Sequence, residues 1–425
     1  MNLTTATEAE LLARRDRLRE QYAALKGRGR SLDLTRGKPS AAQLDLSAPL
    51  LSLPGPEAYT GADGTDVRNY GGAMGLPELR EIFSGPFQVP ADRLLALGGS
   101  SLELMYDCVA HALLLGLPGS VRPWAAEQSV AFLCPVPGYD RHFGICEQLG
   151  VDMIPVPMTA DGPDMDRVEH LVARDPQIKG IWCVPKYSNP TGVSYAPETV
   201  RRLAAMPTAA PDFRIFWDNA YAVHHLTDAE PQIADVLALA AAHGNEDRPF
   251  VFGSTSKITF PGAGVAFLGA SPANVRWTLR HLSRRTIGPD KVNQLRHTLF
   301  LRDADGVRDH MRRHREVLAP RFDLVERVLT ERLGGTGIAS WTRPEGGYFV
   351  TLTVPDGCAT LTVSLAAEAG VALTPAGAPY PYGRDPHDHT IRIAPSYPSL
   401  PELSEALEAL TVCVLLAGVE RLLGT

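Results

Sequence analysis

Between about Asp92 and Ala270, apolar residues gather in short unbroken runs: Leu94–Leu97, Val130–Cys134, Met153–Pro157, Gly180–Val184, Ile215–Trp217, Phe250–Phe252 and Val265–Leu268. None alternates strictly with polar residues. Each therefore predicts a strand covered on both faces, as in a mostly parallel sheet. Polar or Gly/Pro-rich breaks and helical stretches separate the runs, which makes the region α/β. Upstream, Glu8–Leu25 mixes charged and apolar residues at helical spacing and stops at Gly27-Arg-Gly29. Downstream, Gly306–Leu333 predicts a long bridging helix, Gly346–Thr353 and Thr390–Ala394 predict strands, and Pro401–Leu423 a closing helix. At 425 residues the chain exceeds what one core usually serves. The expected architecture is a large domain over 56–318, built on a mostly parallel seven-stranded sheet, with a smaller α+β domain from 1–55 and 319–425.

Composition narrows the partners. With 44% apolar and 21% charged residues the chain reads as soluble and globular, and its net charge of −7 argues against nucleic acid or an anionic membrane as partner. Six scattered cysteines with no Cys-x-x-Cys pair read as reduced core residues of an intracellular protein. The N-terminus lacks a basic start followed by an apolar run, and no apolar stretch reaches bilayer-spanning length, so a cytoplasmic location is expected. No His, Cys, Asp or Glu spacing marks a metal site, and none is expected.

Ligands of an open parallel sheet bind outside the carboxyl ends of its strands, so polar residues that follow the apolar runs carry the chemical information. Gly98-Gly-Ser100-Ser101 precedes a helical run and suits either an anion cradle or a helix N-cap. Tyr139, in Pro135-Val-Pro-Gly-Tyr, could stack on a planar ligand or cover the core. Asn189, held by Pro190 and Gly192, is either a positioned amide donor or part of a turn. Asp218 ends an apolar strand, where a carboxylate needs a partner such as a protonated ring nitrogen, or else caps a helix; Tyr221 follows within reach of the same ring. Lys257, in Phe252-Gly-Ser254-Thr-Ser256-Lys, is a partly desolvated amine among hydroxyl donors. Such an amine can form a Schiff base beside a phosphate, although a plain loop lysine fits the octapeptide too.

Taken together and in this order, the five motifs resemble the fold-type I pyridoxal 5′-phosphate (PLP)-dependent aminotransferases of class I/II, over nearly the whole chain. More narrowly, the chain is similar to the MocR-like, subgroup Ic aspartate aminotransferase-type enzymes. Gly138–Phe143, Trp182–Gly192, Trp217–His225 and Gly253–Thr259 carry that likeness. The resemblance implies a PLP Schiff base on Lys257, Asp218 at the ring nitrogen, and Asn189 and Tyr221 at the ring oxygen. Tyr139 would stack on the ring, and Ser100, Ser101, Ser254 and Ser256 would hold the phosphate. Tyr70 would reach the partner's phosphate across a homodimer. Arg392, with Gly37 and Asn189, would take the substrate α-carboxylate, and Arg141, Arg36 or Lys38 a distal carboxylate. The implied reaction moves an amino group from aspartate or a similar amino acid to a 2-oxo acid such as 2-oxoglutarate, by a ping-pong mechanism. A PLP-dependent C–S lyase or decarboxylase, and a ligand-sensing regulator with an aminotransferase-like domain, are the competing readings. One departure stands out. Phe260–Val265 lacks the arginine that many relatives place after the lysine, leaving Arg36, Lys38 and Arg284 as cations for the phosphate.

Overall fold

The computed structural model describes residues 2–424. After a two-residue strand β1 (Leu32–Asp33), eight strands form the main sheet. These are β2 (Leu94–Ala96), β3 (Ala131–Val136), β4 (Asp152–Thr159), β5 (Gly162–Pro163), β6 (Ile178–Cys183), β7 (Arg214–Asp218), β8 (Pro249–Ser254) and β9 (Ala266–Ala270). Their order is β2-β9-β8-β7-β6-β3-β4-β5, with the run from β8 to β4 parallel. All seven apolar runs are strands of this sheet. The eighth strand, β5, is a two-residue return beside β4, too short to leave an apolar run in the sequence.

Both faces of the sheet are covered. Leu133, Ile181, Cys183, Ile215, Trp217 and Val251 point into one core. The intervening Phe132, Trp182, Phe216, Phe250 and Phe252 point into the other. Two-sided burial is why these strands are apolar throughout.

A further core gathers residues from both chain ends, from Leu3 to Leu34 and from Phe322 to Val419. Around it lie β10 (Ser340–Trp341), β11 (Val350–Thr353), β12 (Val371–Ala372) and β13 (Thr390–Ile393). Strands β10, β11 and β13 form an antiparallel sheet, and β12 pairs in parallel with β1. The helix Ala304–Leu333 serves both regions: Val307 and Met311 pack under the main sheet, while Phe322 to Leu333 pack in the core of the chain ends. Among the described residues no helix is long and apolar enough to cross a membrane, and all six cysteines are buried and free.

Candidate active site

Strand β3 has β4 on one side and β6 on the other, so the chain's winding reverses there and opens a crevice beyond the strand ends. The five sequence motifs converge on it. Ser100, Ser101, Tyr139, Asn189, Asp218, Tyr221, Ser254, Ser256 and Lys257 line one cavity of about 550 Å³, together with Arg36, Gly37, Lys38, Arg141 and Arg392.

Asp218 ends β7 and is buried. Its Oδ2 lies 3.0 Å from His142 Nε2, whereas Oδ1 is buried with no partner among the described residues. An unsatisfied buried carboxylate oxygen is costly, so the site lacks one donor where a ring N–H would fit. His142 in turn stacks on Trp182, with centroids 4.5 Å apart and planes 12° from parallel, which fixes the imidazole against Asp218. The sequence reading passed over His142. It lies three residues beyond Tyr139, and nothing local links it to a carboxylate 76 residues away.

Lys257 Nζ lies 5.1 Å from the centroid of the Tyr221 ring. Burial lowers its pKa, opposed by the charge of Asp218, and so favours the nucleophilic free amine. Burial likewise raises the pKa of the Tyr221 phenol and pushes that of Tyr139 up to about 12, so both stay protonated donors. Asn189 Oδ1 accepts from Arg392 Nη1 at 3.4 Å.

Arg392, on β13, is gripped on two sides. Nη1 donates to Asp140 Oδ1 at 3.2 Å, and Nη2 to Thr374 Oγ1 at 3.0 Å and the Thr35 carbonyl at 3.4 Å. Its Nε is buried and unpartnered among the described residues. Gly37 passes so close to the ring of Phe349 that a Cβ would sit 2.5 Å from it, which explains a glycine here.

The aspartate amino-transferase family matches residues 4–425. The chain belongs to the aspartate aminotransferase family. A Mycolicibacterium smegmatis protein named as an aminotransferase is 57% identical over the full length of both chains. The aspartate aminotransferase of Corynebacterium glutamicum is 50% identical, over 95% of this chain and 93% of that one. A crystal structure of an aspartate transaminase from C. glutamicum superposes with a TM-score of 0.97 at 48% identity, covering 99% of each chain. The α-aminoadipate aminotransferase of Thermus thermophilus shares the fold at TM-score 0.73 and 21% identity.

In this aminotransferase the hydroxyl end of the cavity is formed by Ser254, Ser256 and the start of the helix Ser101–Leu115. Gly264, in the arginine-free stretch, lies close enough to Ser256 that a Cβ would be 3.2 Å from its Oγ. Lys38 sits over the Tyr397 ring at 3.7 Å, with Asp33 Oδ2 also 3.7 Å away. Arg284, on the helix Pro272–Arg285, is not among the cavity's lining residues. Tyr70 is not either. It is 79% exposed, on a loop that Lys291 Nζ holds through the Asn69 and Gly71 carbonyls.

Behind Lys257 the aminotransferase carries a buried histidine network. Gln43 Oε1 accepts from the Ser40 N–H, which turns its Nε2 to donate to Tyr348 Oη at 2.8 Å and to His314 Nδ1 at 3.1 Å. His314 therefore carries its proton on Nε2, which lies 3.1 Å from His310 Nε2, and His310 Nε2 donates to the Ile258 carbonyl at 2.7 Å. His224 Nε2 lies 3.2 Å from the carbonyl of Lys257 itself. The successive carbonyls of Lys257 and Ile258 thus each receive an imidazole N–H bond.

Burial and neighbouring His310 hold the His314 pKa down to about 3, against 6.5 for a free imidazole. The unfolded chain then binds a proton that the folded chain refuses. This stability is complete above pH 6.5 and is lost as pH falls from there towards 3, at up to about 1.4 kcal/mol per pH unit. Thermal melts between pH 7 and 5 should show a steep fall, to which His224, His225, His297 and His310 also contribute, and His314→Gln, which keeps an N–H at the same reach, should make it shallower. His314→Leu should cost roughly 1–3 kcal/mol at pH 7, by leaving the buried Gln43 amide one acceptor short. An unchanged pH slope in His314→Gln would remove His314 as a source of it.

Proposed function

We propose that this protein is a PLP-dependent aminotransferase that moves the amino group of aspartate or a similar amino acid to a 2-oxo acid. One observation carries the reading: a single cavity holds an amine with lowered pKa, a buried carboxylate oxygen without a partner, and a gripped guanidinium. Pyridoxal phosphate, when bound, supplies an aldehyde that condenses with amines and a protonated ring that withdraws electrons from the substrate Cα.

The chain's own residues do the rest. Lys257 Nζ would hold the cofactor and, as a free amine, would carry the Cα proton. Asp218 Oδ1 would accept the ring N–H and keep it protonated, with His142 holding the carboxylate in place. Tyr221 Oη and the Asn189 amide would donate to the ring oxygen, Tyr139 would cover the ring, and Ser100, Ser101, Ser254 and Ser256 would donate to the phosphate. Arg392 takes the α-carboxylate through its fork, a task that a guanidinium suits geometrically. Arg36, Lys38 and Arg141 give the cavity the positive charge that a second carboxylate requires, and the C. glutamicum relative is named for aspartate.

We also propose that the active unit is a cytoplasmic homodimer. Tyr70 is exposed and does not line its own chain's cavity, and Ile287 is 66% exposed beside Gly288, which packs against Gly71. Free buried thiols suit a reducing compartment.

The test is transamination by the PLP-loaded protein, sized by sedimentation, from single amino acids to 2-oxoglutarate. Aspartate should be consumed with oxaloacetate formed. Arg392→Lys should raise KM for every amino acid by roughly 10- to 100-fold, since a point charge replaces a two-pronged contact. Conversion of the substrate to a keto acid with release of ammonia would overturn transamination in favour of elimination. A monomer alone would remove Tyr70 from the site.

A further inference from the structure

A second cluster of ligand-type side chains lies at the end of the small antiparallel sheet where β11 finishes and β13 begins. Asp356 sits in the turn after β11, and His387 and His389 in the turn before β13. Asp356 Oδ1 lies 3.1 Å from His389 Nδ1 and Oδ2 lies 3.4 Å from His387 Nδ1. The three ligand atoms fall within 4.8 Å of one another, and the two imidazoles stack with planes 7° apart. No spacing in the sequence marks the trio, because the histidines stand about thirty residues beyond the aspartate.

The backbone holds this arrangement without help from the three side chains. Val354 and Gly357 donate to the carbonyls of His389 and His387 at 2.9 and 2.8 Å, binding the two turns to each other on both sides of Asp356. Asp385 accepts the N–H groups of His387, His389 and Thr390 at 3.0 to 3.1 Å. Asp388 takes the left-handed conformation at φ 48° and caps Thr360 through its carboxylate at 3.0 Å. Both Nδ1 atoms therefore face the one carboxylate from a fixed frame.

Donors bound at about 2.0–2.1 Å to one tetrahedral ion stand roughly 3.4 Å apart, close to the separations found here. Two imidazole nitrogens and a carboxylate make a mixture of nitrogen and oxygen donors that suits zinc-class ions over magnesium.

We propose that Asp356, His387 and His389 form a binding site for one zinc-class divalent ion, with water completing its coordination. The ion would join the turn after β11 to the turn before β13, the strand that carries Arg392 three residues beyond His389. Such a tie stiffens the sheet from which the substrate clamp projects.

Untagged holoenzyme, stripped by chelator and titrated calorimetrically with zinc chloride, tests the site. One ion should bind per chain at pH 7.5, and magnesium should not compete. His387→Ala, His389→Ala and Asp356→Asn should each weaken binding at least about tenfold, and lowering the pH to 5.5 should do the same, because protonated imidazoles cannot coordinate. Zinc should also raise the melting temperature of the wild type but not of His389→Ala. Absence of uptake, or uptake whose affinity all three substitutions leave unchanged, would overturn the proposal.

Discussion

Lys257→Ala should lower kcat for transamination by at least about 10⁴-fold, the upper range for loss of a positioned proton carrier. It should also abolish the visible absorbance of covalently held cofactor. No second amine can take over. Lys186 is tied to the Ala222 carbonyl at 2.8 Å, Lys291 to two carbonyls beside Tyr70, and Lys38 stands against Asp33. The protein should still fold, because the turn is fixed by backbone carbonyls that bond to His224 and His310, not by the lysine side chain. Activity and spectrum, measured on protein with an unchanged melting curve, check this. Retention of the absorbance band would refute Lys257 as the site of attachment.

Asp218→Asn should be the next most damaging change. The carboxylate has one oxygen on His142 and one unsatisfied, so a ring N–H would complete it. An amide keeps the shape but loses the charge that holds the ring nitrogen protonated. Truncating one member of a buried, hydrogen-bonded charge pair costs about 2–5 kcal/mol, or roughly 30- to 5,000-fold. The loss should fall on kcat more than on KM, since Arg392 still takes the α-carboxylate. A variant with normal kcat would show that the ring needs no carboxylate there. His142→Ala, which frees the second oxygen, should give a smaller loss in the same direction.

How much of this was legible before the structure depended on distance along the chain. The seven long strands showed themselves because burial on both faces leaves runs such as Phe250–Phe252 with no polar interruption. Asp218 and Lys257 showed themselves because each directly follows such a run. Strand β5 was hidden by its two-residue length. Gln43 and His314, 271 residues apart, meet only because the segment near the N-terminus crosses the long helix, and no window of sequence contains both. Arg284 was a reasonable candidate for the phosphate by charge alone, and its helix ends outside the cavity. Local chemistry could be read in the sequence, but the pairings that hold it in place could not.

The core made from both chain ends bears on how the protein is synthesised. Leu32 pairs in register with Val371, and the segment that follows carries Gly37 over the cavity. A ribosome working from the N-terminus therefore completes the main sheet while β1 has nothing to pair with. Contacts spanning more than three hundred residues close slowly and late. The side of the cavity lined by Gly37 should be the last part of the molecule to form, after the strand ends that carry Asp218 and Lys257 are already in place.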